Sequence, residues 1–187
     1  MPVVIYAFQI GHLLKTRAFE FNNPEWNVAH TRALVELENE VRGQGLVPDV
    51  EYELSVQVGN ATMAGKIDCL VVDHDRRLVT VYEVKTGSPK SRDKLQTQLY
   101  MYFLAERGRT YREYGLRGVL VYPDHRELVD GVPEHFGDDV QFFLDLLIDG
   151  SPRKRPGSDC RDCKIHVVDC AERVEVPSDG RIIGGSA

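Results

Sequence analysis

Two β-branched runs separated by four turn-forming residues constrain this chain more than anything else in it. Residues 66–73 (Lys-Ile-Asp-Cys-Leu-Val-Val-Asp) and 78–85 (Leu-Val-Thr-Val-Tyr-Glu-Val-Lys) flank His74-Asp75-Arg76-Arg77, a pattern that reads as a β-hairpin. If the hairpin closes symmetrically about residues 75 and 76, the numbers of facing partners sum to 151. Val72 then faces Val79, and Asp68 faces Glu83. Carboxylates facing each other in an antiparallel pair lie roughly 5 Å apart at Cβ and repel unless a cation sits between them. Lys85 shares the face of Glu83, because side chains alternate along a strand. Two acids and a lysine on one face predict a divalent-metal site with a lysine beside it.

The remainder of the chain frames that hairpin. A length of 187 residues makes one domain with a substantial core, and 42% hydrophobic with 28% charged residues excludes a disordered or membrane-embedded chain. The apolar stretch from Val3 to Leu14 lacks a basic leading region and contains Gln9 and His12, so it does not read as a signal peptide. No run reaches spanning length, and the expected location is the cytoplasm, without a membrane partner. A net charge of −6 argues against a protein that coats DNA. It leaves room for a local basic groove, because phosphate binding needs only a few placed Lys and Arg.

Hydrophobic periodicity predicts one α/β domain over residues 1–150. An amphipathic helix covers about 25–42, with Trp26, Ala33, Leu34, Leu37 and Val41 on one face. Strands follow at 50–58, 62–73 and 78–85. Ser88-Pro89 reads as an N-cap and first helical residue, with the helix running to about Arg107. Gly118–Tyr122 is a buried strand. Val140, Phe143, Leu144, Leu147 and Ile148 stripe a last helix. Residues 151–178, rich in Pro, Arg, Lys, Cys and Asp, form an appendage packed on this core, and residues 179–187 a mobile tail.

Placed on these elements, three motifs give a resemblance. Gly65-Lys66-Ile67-Asp68 resembles the GxxD motif of PD-(D/E)XK nucleases, and Glu83-Val84-Lys85 their (D/E)XK motif. Gln96-Thr97-Gln98-Leu99-Tyr100 resembles the QxxxY motif of the RecB-like branch; the frame from Gln98 to Tyr102 also fits, and the first is favoured by its distance from Lys85. The order of elements over about residues 25–122 agrees with that family. The resemblance implies a restriction-endonuclease-like core, a central mixed sheet with a β-meander flanked by helices.

It also implies roles. Asp68 and Glu83, with the backbone carbonyl of Val84, would hold Mg²⁺ or Mn²⁺, and Lys85 would act on the water or the developing charge. His30 lies at helical spacing from Trp26, Ala33 and Leu34. On spacing alone it reads as a core histidine, whereas the resemblance makes it a metal ligand. Asn27 and Leu34 stand where the family commonly has a glycine and an acid. Gln96 and Tyr100 share one helix face; the resemblance turns that face toward the catalytic pocket, and plain amphipathic spacing would bury Tyr100. Lys90, Arg92 and Lys94, like Arg153-Lys154-Arg155, read as phosphate contacts or as solvated charge.

Cys160, Cys163 and Cys170 fall within eleven residues, and a C-x2-C step in a cytosolic chain points to metal rather than disulfides. The arrangement resembles the C-terminal cysteines of the CRISPR-associated Cas-four exonucleases, which implies a [4Fe–4S] cluster, although residues 1–68 contain no cysteine. Cys69 points away from Asp68 and reads as a small core residue. Three readings stand: a cluster completed by a non-cysteine ligand such as His12 or a neighbouring acid, zinc on the three cysteines with His166, or three metal-free thiols. The function expected from the whole is a Cas-four or RecB-like exonuclease on single-stranded DNA or overhangs, with DNA and a CRISPR integrase or other defence or repair proteins as partners. A stand-alone defence or repair endonuclease, or a non-catalytic nucleic-acid-binding subunit, are the alternatives.

Overall fold

The computed structural model describes residues 3–6, 24–58, 61–106, 111 and 113–148. The expected appendage and tail, with Cys160, Cys163, His166 and Cys170, lie outside these residues, as does His12. The elements in chain order are β1 (Val3–Tyr6), α1 (Pro24–Gly43), β2 (Pro48–Val58), β3 (Ala61–Asp73), β4 (Leu78–Val84), α2 (Ser91–Glu106), β5 (Gly115–Val121), β6 (Arg126–Val129) and α3 (Phe136–Ile148). They form an α/β fold around one mixed six-stranded sheet.

β3 organises the sheet because it has three partners. β2 runs antiparallel along its length, from Pro48 opposite Val71 to Val58 opposite Ala61. The other edge is divided. β1 pairs in parallel with Ala61–Ala64, and β4 pairs antiparallel with Cys69–Asp73, including Val72 opposite Val79 as the hairpin closure predicts. Gly65–Asp68 therefore occupy the stretch where that edge passes from one partner to the next. β4 continues beside β5 in parallel register to Val84 opposite Val121, and β6 closes the order.

Local chemistry explains the turns. At the β3–β4 loop, the Asp73 carboxylate accepts the Arg76 backbone N–H at 2.9 Å and also its guanidinium. Arg77 takes a left-handed φ of 50°, which returns the chain into β4. Beyond the end of α1, Gly45 closes the turn, and its φ of 79° is the left-handed conformation that glycine adopts without a Cβ penalty.

α1 covers one face of the sheet. Leu34, Leu37 and Val41 bury against Cys69, Val71 and Val84, each such side chain contributing about 1.5–3 kcal/mol. Cys69 is a core residue on this face, and burial, the largest cause, pushes its thiol up to about 12. Trp26 departs from the expected stripe: it is 37% exposed. On the opposite face lies α2, buried on most sides, with Leu99, Tyr100, Met101, Phe103 and Leu104 packed against the sheet strands and against Phe136, Val140 and Leu144. It approaches β5 so closely that a Cβ on Gly118 would lie 2.4 Å from Thr97 Cγ2. The start of α2 also differs from the expected one. Lys90, not Ser88, is the cap: its N–H bonds to Asp93 Oδ2 at 3.0 Å, and the Asp93 N–H bonds to the Lys90 carbonyl at 2.9 Å. An acid three residues into the helix outweighs the Ser-Pro signal.

Candidate active site

The divided edge of β3 places the acids. The ladder with β4 is regular up to Cys69 opposite Tyr82; one step further, at Asp68 and Glu83, side chains take over from backbone. Val84 donates its N–H to Asp68 Oδ2 at 2.7 Å, and Asp68 points its own N–H at Glu83 Oε1 over 3.5 Å. On the β2 side, the residue opposite Asp68 is Glu51, which has a φ of 55°. Such a conformation in a non-glycine residue costs about 1–3 kcal/mol. Regular backbone pairing is thus interrupted on both sides of Asp68.

From there a hydrogen-bonded chain runs onto α2. Lys85 Nζ donates to Glu83 Oε2 at 3.1 Å and to Gln96 Oε1 at 3.0 Å. Gln96 Nε2 donates to the Tyr100 hydroxyl at 3.2 Å, and that hydroxyl donates to the Lys66 carbonyl at 2.9 Å. Lys66 lies in the stretch of β3 between partners, so Tyr100 satisfies a carbonyl at the break in pairing. The Tyr100 ring is part of the core, and its hydroxyl bonds to Gln96 and the Lys66 carbonyl. The frame Gln96–Tyr100 is the one that reaches Lys85, whereas the Tyr102 ring stacks edge-on against Phe136.

His30 reaches the same point from α1. Its Nε2 lies 3.3 Å from Asp68 Oδ2, and its ring stacks on Trp26 with centroids 4.7 Å apart and planes 21° from parallel. Residue spacing put Trp26 in the core stripe and missed this stack. The contribution of Lys66 through its carbonyl, the bend at Glu51 and the Asp93–Tyr122 hydrogen bond behind α2 (3.1 Å) were also missed. Each depends on tertiary approach rather than on a local pattern; only Asp93, three residues after the capping Lys90, carried a readable signal.

Electrostatics make the pair costly without a cation. Glu83 is 1% exposed. Burial pushes its carboxyl up to about 8; the Asp68 charge adds to this and Lys85 opposes it. Burial pulls the Lys85 ammonium down, but the Glu83 and Asp68 carboxylates outweigh that and leave it raised. The two shifts compete for one proton, since Lys85 is favoured by an ionised Glu83. Burial and the second carboxylate favour the protonated form of Glu83, and the two carboxylates favour the charged form of Lys85.

The donor set fits a hard divalent cation. Two adjacent carboxylates, one of them buried, are the oxygen ligands such an ion prefers, and its charge would offset their repulsion. Among the described residues no three or more His, Cys, Asp or Glu side chains are gathered to hold a metal by themselves. A cation at Asp68 and Glu83 would therefore draw its further ligands from the adjacent His30 imidazole and from backbone, water or substrate oxygens.

No curated protein matches the sequence. The crystal structure of SSO0001 is similar in fold, with a TM-score of 0.62 over 90% of this chain and 86% of that one at 17% identity. A repair endonuclease from Pyrococcus abyssi is 20% identical over 67% of this chain and 46% of its own, with a TM-score of 0.35, too low to inform the fold. The family model of the PD-(D/E)XK nuclease superfamily matches residues 12–168, a span containing every element from α1 to α3 and the whole Asp68–Glu83–Lys85 arrangement. The chain belongs to the PD-(D/E)XK nuclease superfamily.

Proposed function

We propose that this chain is a Mg²⁺- or Mn²⁺-dependent deoxyribonuclease of the RecB-like branch, acting as an exonuclease on single-stranded DNA or overhangs, with CRISPR spacer acquisition as one setting for it. The observation that carries the reading is the meeting of Asp68 and Glu83 at the break in the β3–β4 ladder, with Lys85 bridging Glu83 and Gln96. A merely structural scaffold gains nothing from a buried, mutually repelling acid pair.

Asp68, Glu83 and the Val84 carbonyl, with His30 beside them, would hold the ion; when bound, it would polarise the scissile phosphate and acidify a coordinated water. The protein's own residues supply the rest. Asp68 is held in place by the Val84 N–H, so its carboxylate is preorganised. Lys85 presents an ammonium whose remaining donor can stabilise charge developing on phosphate or water. Gln96 fixes the direction of that ammonium, and Tyr100 fixes Gln96. Tyr100, 3% exposed, keeps its hydroxyl protonated: burial, first, and the Glu83 charge hold its pKa above the usual phenol range. It acts as a hydrogen-bonding post rather than a base.

The three C-terminal cysteines with His166 form a second metal-binding element in this reading, iron–sulfur or zinc. Protein prepared without oxygen distinguishes these: brown with absorbance near about 400 nm, or colourless with zinc on elemental analysis. For the nuclease itself, purified protein is incubated with end-labelled single- and double-stranded DNA in Mn²⁺ or EDTA. Shortening of the single strand in Mn²⁺ alone supports the proposal. Intact DNA under every condition leaves the non-catalytic binding subunit in its place.

A further inference from the structure

We propose that Trp26 is a stacking platform for an unpaired base of the DNA strand whose phosphate lies at Asp68 and Glu83, so that it selects unpaired over duplex DNA. The inference rests on the nuclease reading for the identity of the strand.

Trp26 sits one helical turn ahead of His30 on α1. The two rings are nearly parallel at 4.7 Å, and the Nε2 edge of the imidazole lies 3.3 Å from Asp68 Oδ2. One ring therefore separates the indole from the acid pair. The residues that follow on the same helix face, Leu34, Leu37 and Val41, are 8%, 2% and 1% exposed, but Trp26 is 37% exposed. A large aromatic left partly open beside an active site is poorly explained by core packing. It matches the platform on which single strands stack, which tolerates any sequence because every base has a π-face. A base inside a duplex has both faces occupied by its neighbours and must be extruded first, at a cost of a few kcal/mol. Duplex DNA is disfavoured at such a platform for that reason.

Trp26 is the chain's single tryptophan, so emission excited beyond the tyrosine absorption band reads this site alone. In EDTA, the protein is titrated with an oligothymidylate of about 12 nucleotides, within the usual range of strand-binding sites, and with an abasic deoxyribose-phosphate strand of equal length. Quenching by the first and not the second is expected. In Mn²⁺, Trp26→Ala should raise KM for the base-bearing strand by roughly 5- to 100-fold, with kcat changed less, and Trp26→Phe should recover most of the loss. On the abasic strand, wild type and Trp26→Ala should be alike. Equal losses on both strands would reduce Trp26 to a support for His30 and overturn the proposal, as would unchanged KM or unchanged emission. If no DNA is cleaved by wild type while the bases still quench selectively, the nuclease reading fails and the stacking site stands.

Discussion

Val84 donates its backbone N–H to the side chain of Asp68 at 2.7 Å, so a carboxylate of β3 completes the ladder where the backbones of β3 and β4 part. The acid is therefore part of the sheet as well as part of the site, and the two roles can be separated. Asp68→Asn keeps an acceptor for Val84 and should retain the fold while losing cleavage by about 10³-fold or more. Asp68→Ala should lose cleavage and, in addition, about 1–2 kcal/mol of stability from the unpaired Val84 N–H. Thermal unfolding beside a cleavage assay distinguishes them; equal stability of both variants would discount the Val84 bond.

Metal-free protein should lose stability as pH rises. The Glu83 carboxyl stands at about 8 when folded, against 4.5 for the free group. Its contribution is complete below about 4.5 and fades as pH climbs through about 8, at no more than about 1.4 kcal/mol per pH unit. Denaturant unfolding in EDTA between about pH 5.5 and 8.5 should show this decline in wild type and a flatter profile in Glu83→Gln. Parallel profiles would mean that Glu83 titrates normally.

Lys85→Ala should separate chemistry from metal binding. Turnover should fall steeply while Mn²⁺ affinity by calorimetry stays near wild type, because Lys85 bonds to Glu83 and Gln96 and is not itself a ligand. A large loss of Mn²⁺ affinity would make Lys85 an organiser of the acid pair instead.

The support from α2 is testable at a distance. Gly118→Ala places a Cβ 2.4 Å from Thr97 Cγ2, so α2 must shift, at a cost of about 1–3 kcal/mol. Gln96 and Tyr100 ride on that helix, and activity should drop by about 10- to 100-fold, the usual range for disturbed supporting residues. Wild-type kcat in a destabilised Gly118→Ala would show that the Lys85–Gln96 bond is dispensable.

The centre of the fold could be read from residues because its signals are local. Hairpin symmetry gave the β3–β4 register, with Val72 opposite Val79, and apolar spacing gave α1 and α3. β1 and β6 are four residues each, too short for a period-2 pattern, and β1 joins in parallel from a distant part of the chain. The start of α2 was displaced because Ser88-Pro89 looked like a cap and the Asp93 carboxylate competes with it. In the site, Asp68, Glu83, Lys85, Gln96 and Tyr100 shared strand or helix faces that spacing can show. Spacing cannot show that β3 changes partner at Gly65–Asp68, that Glu51 turns left-handed opposite Asp68, or that Trp26 leaves the core to stack on His30.

The most direct test of the central claim is cleavage of an end-labelled single strand by wild type and by Asp68→Asn, side by side in Mn²⁺. Wild type should degrade the strand and stop on addition of EDTA, and Asp68→Asn, folded and able to bind the strand, should leave it intact. Equal degradation by the two proteins would contradict the assignment of Asp68 and Glu83 as the catalytic centre.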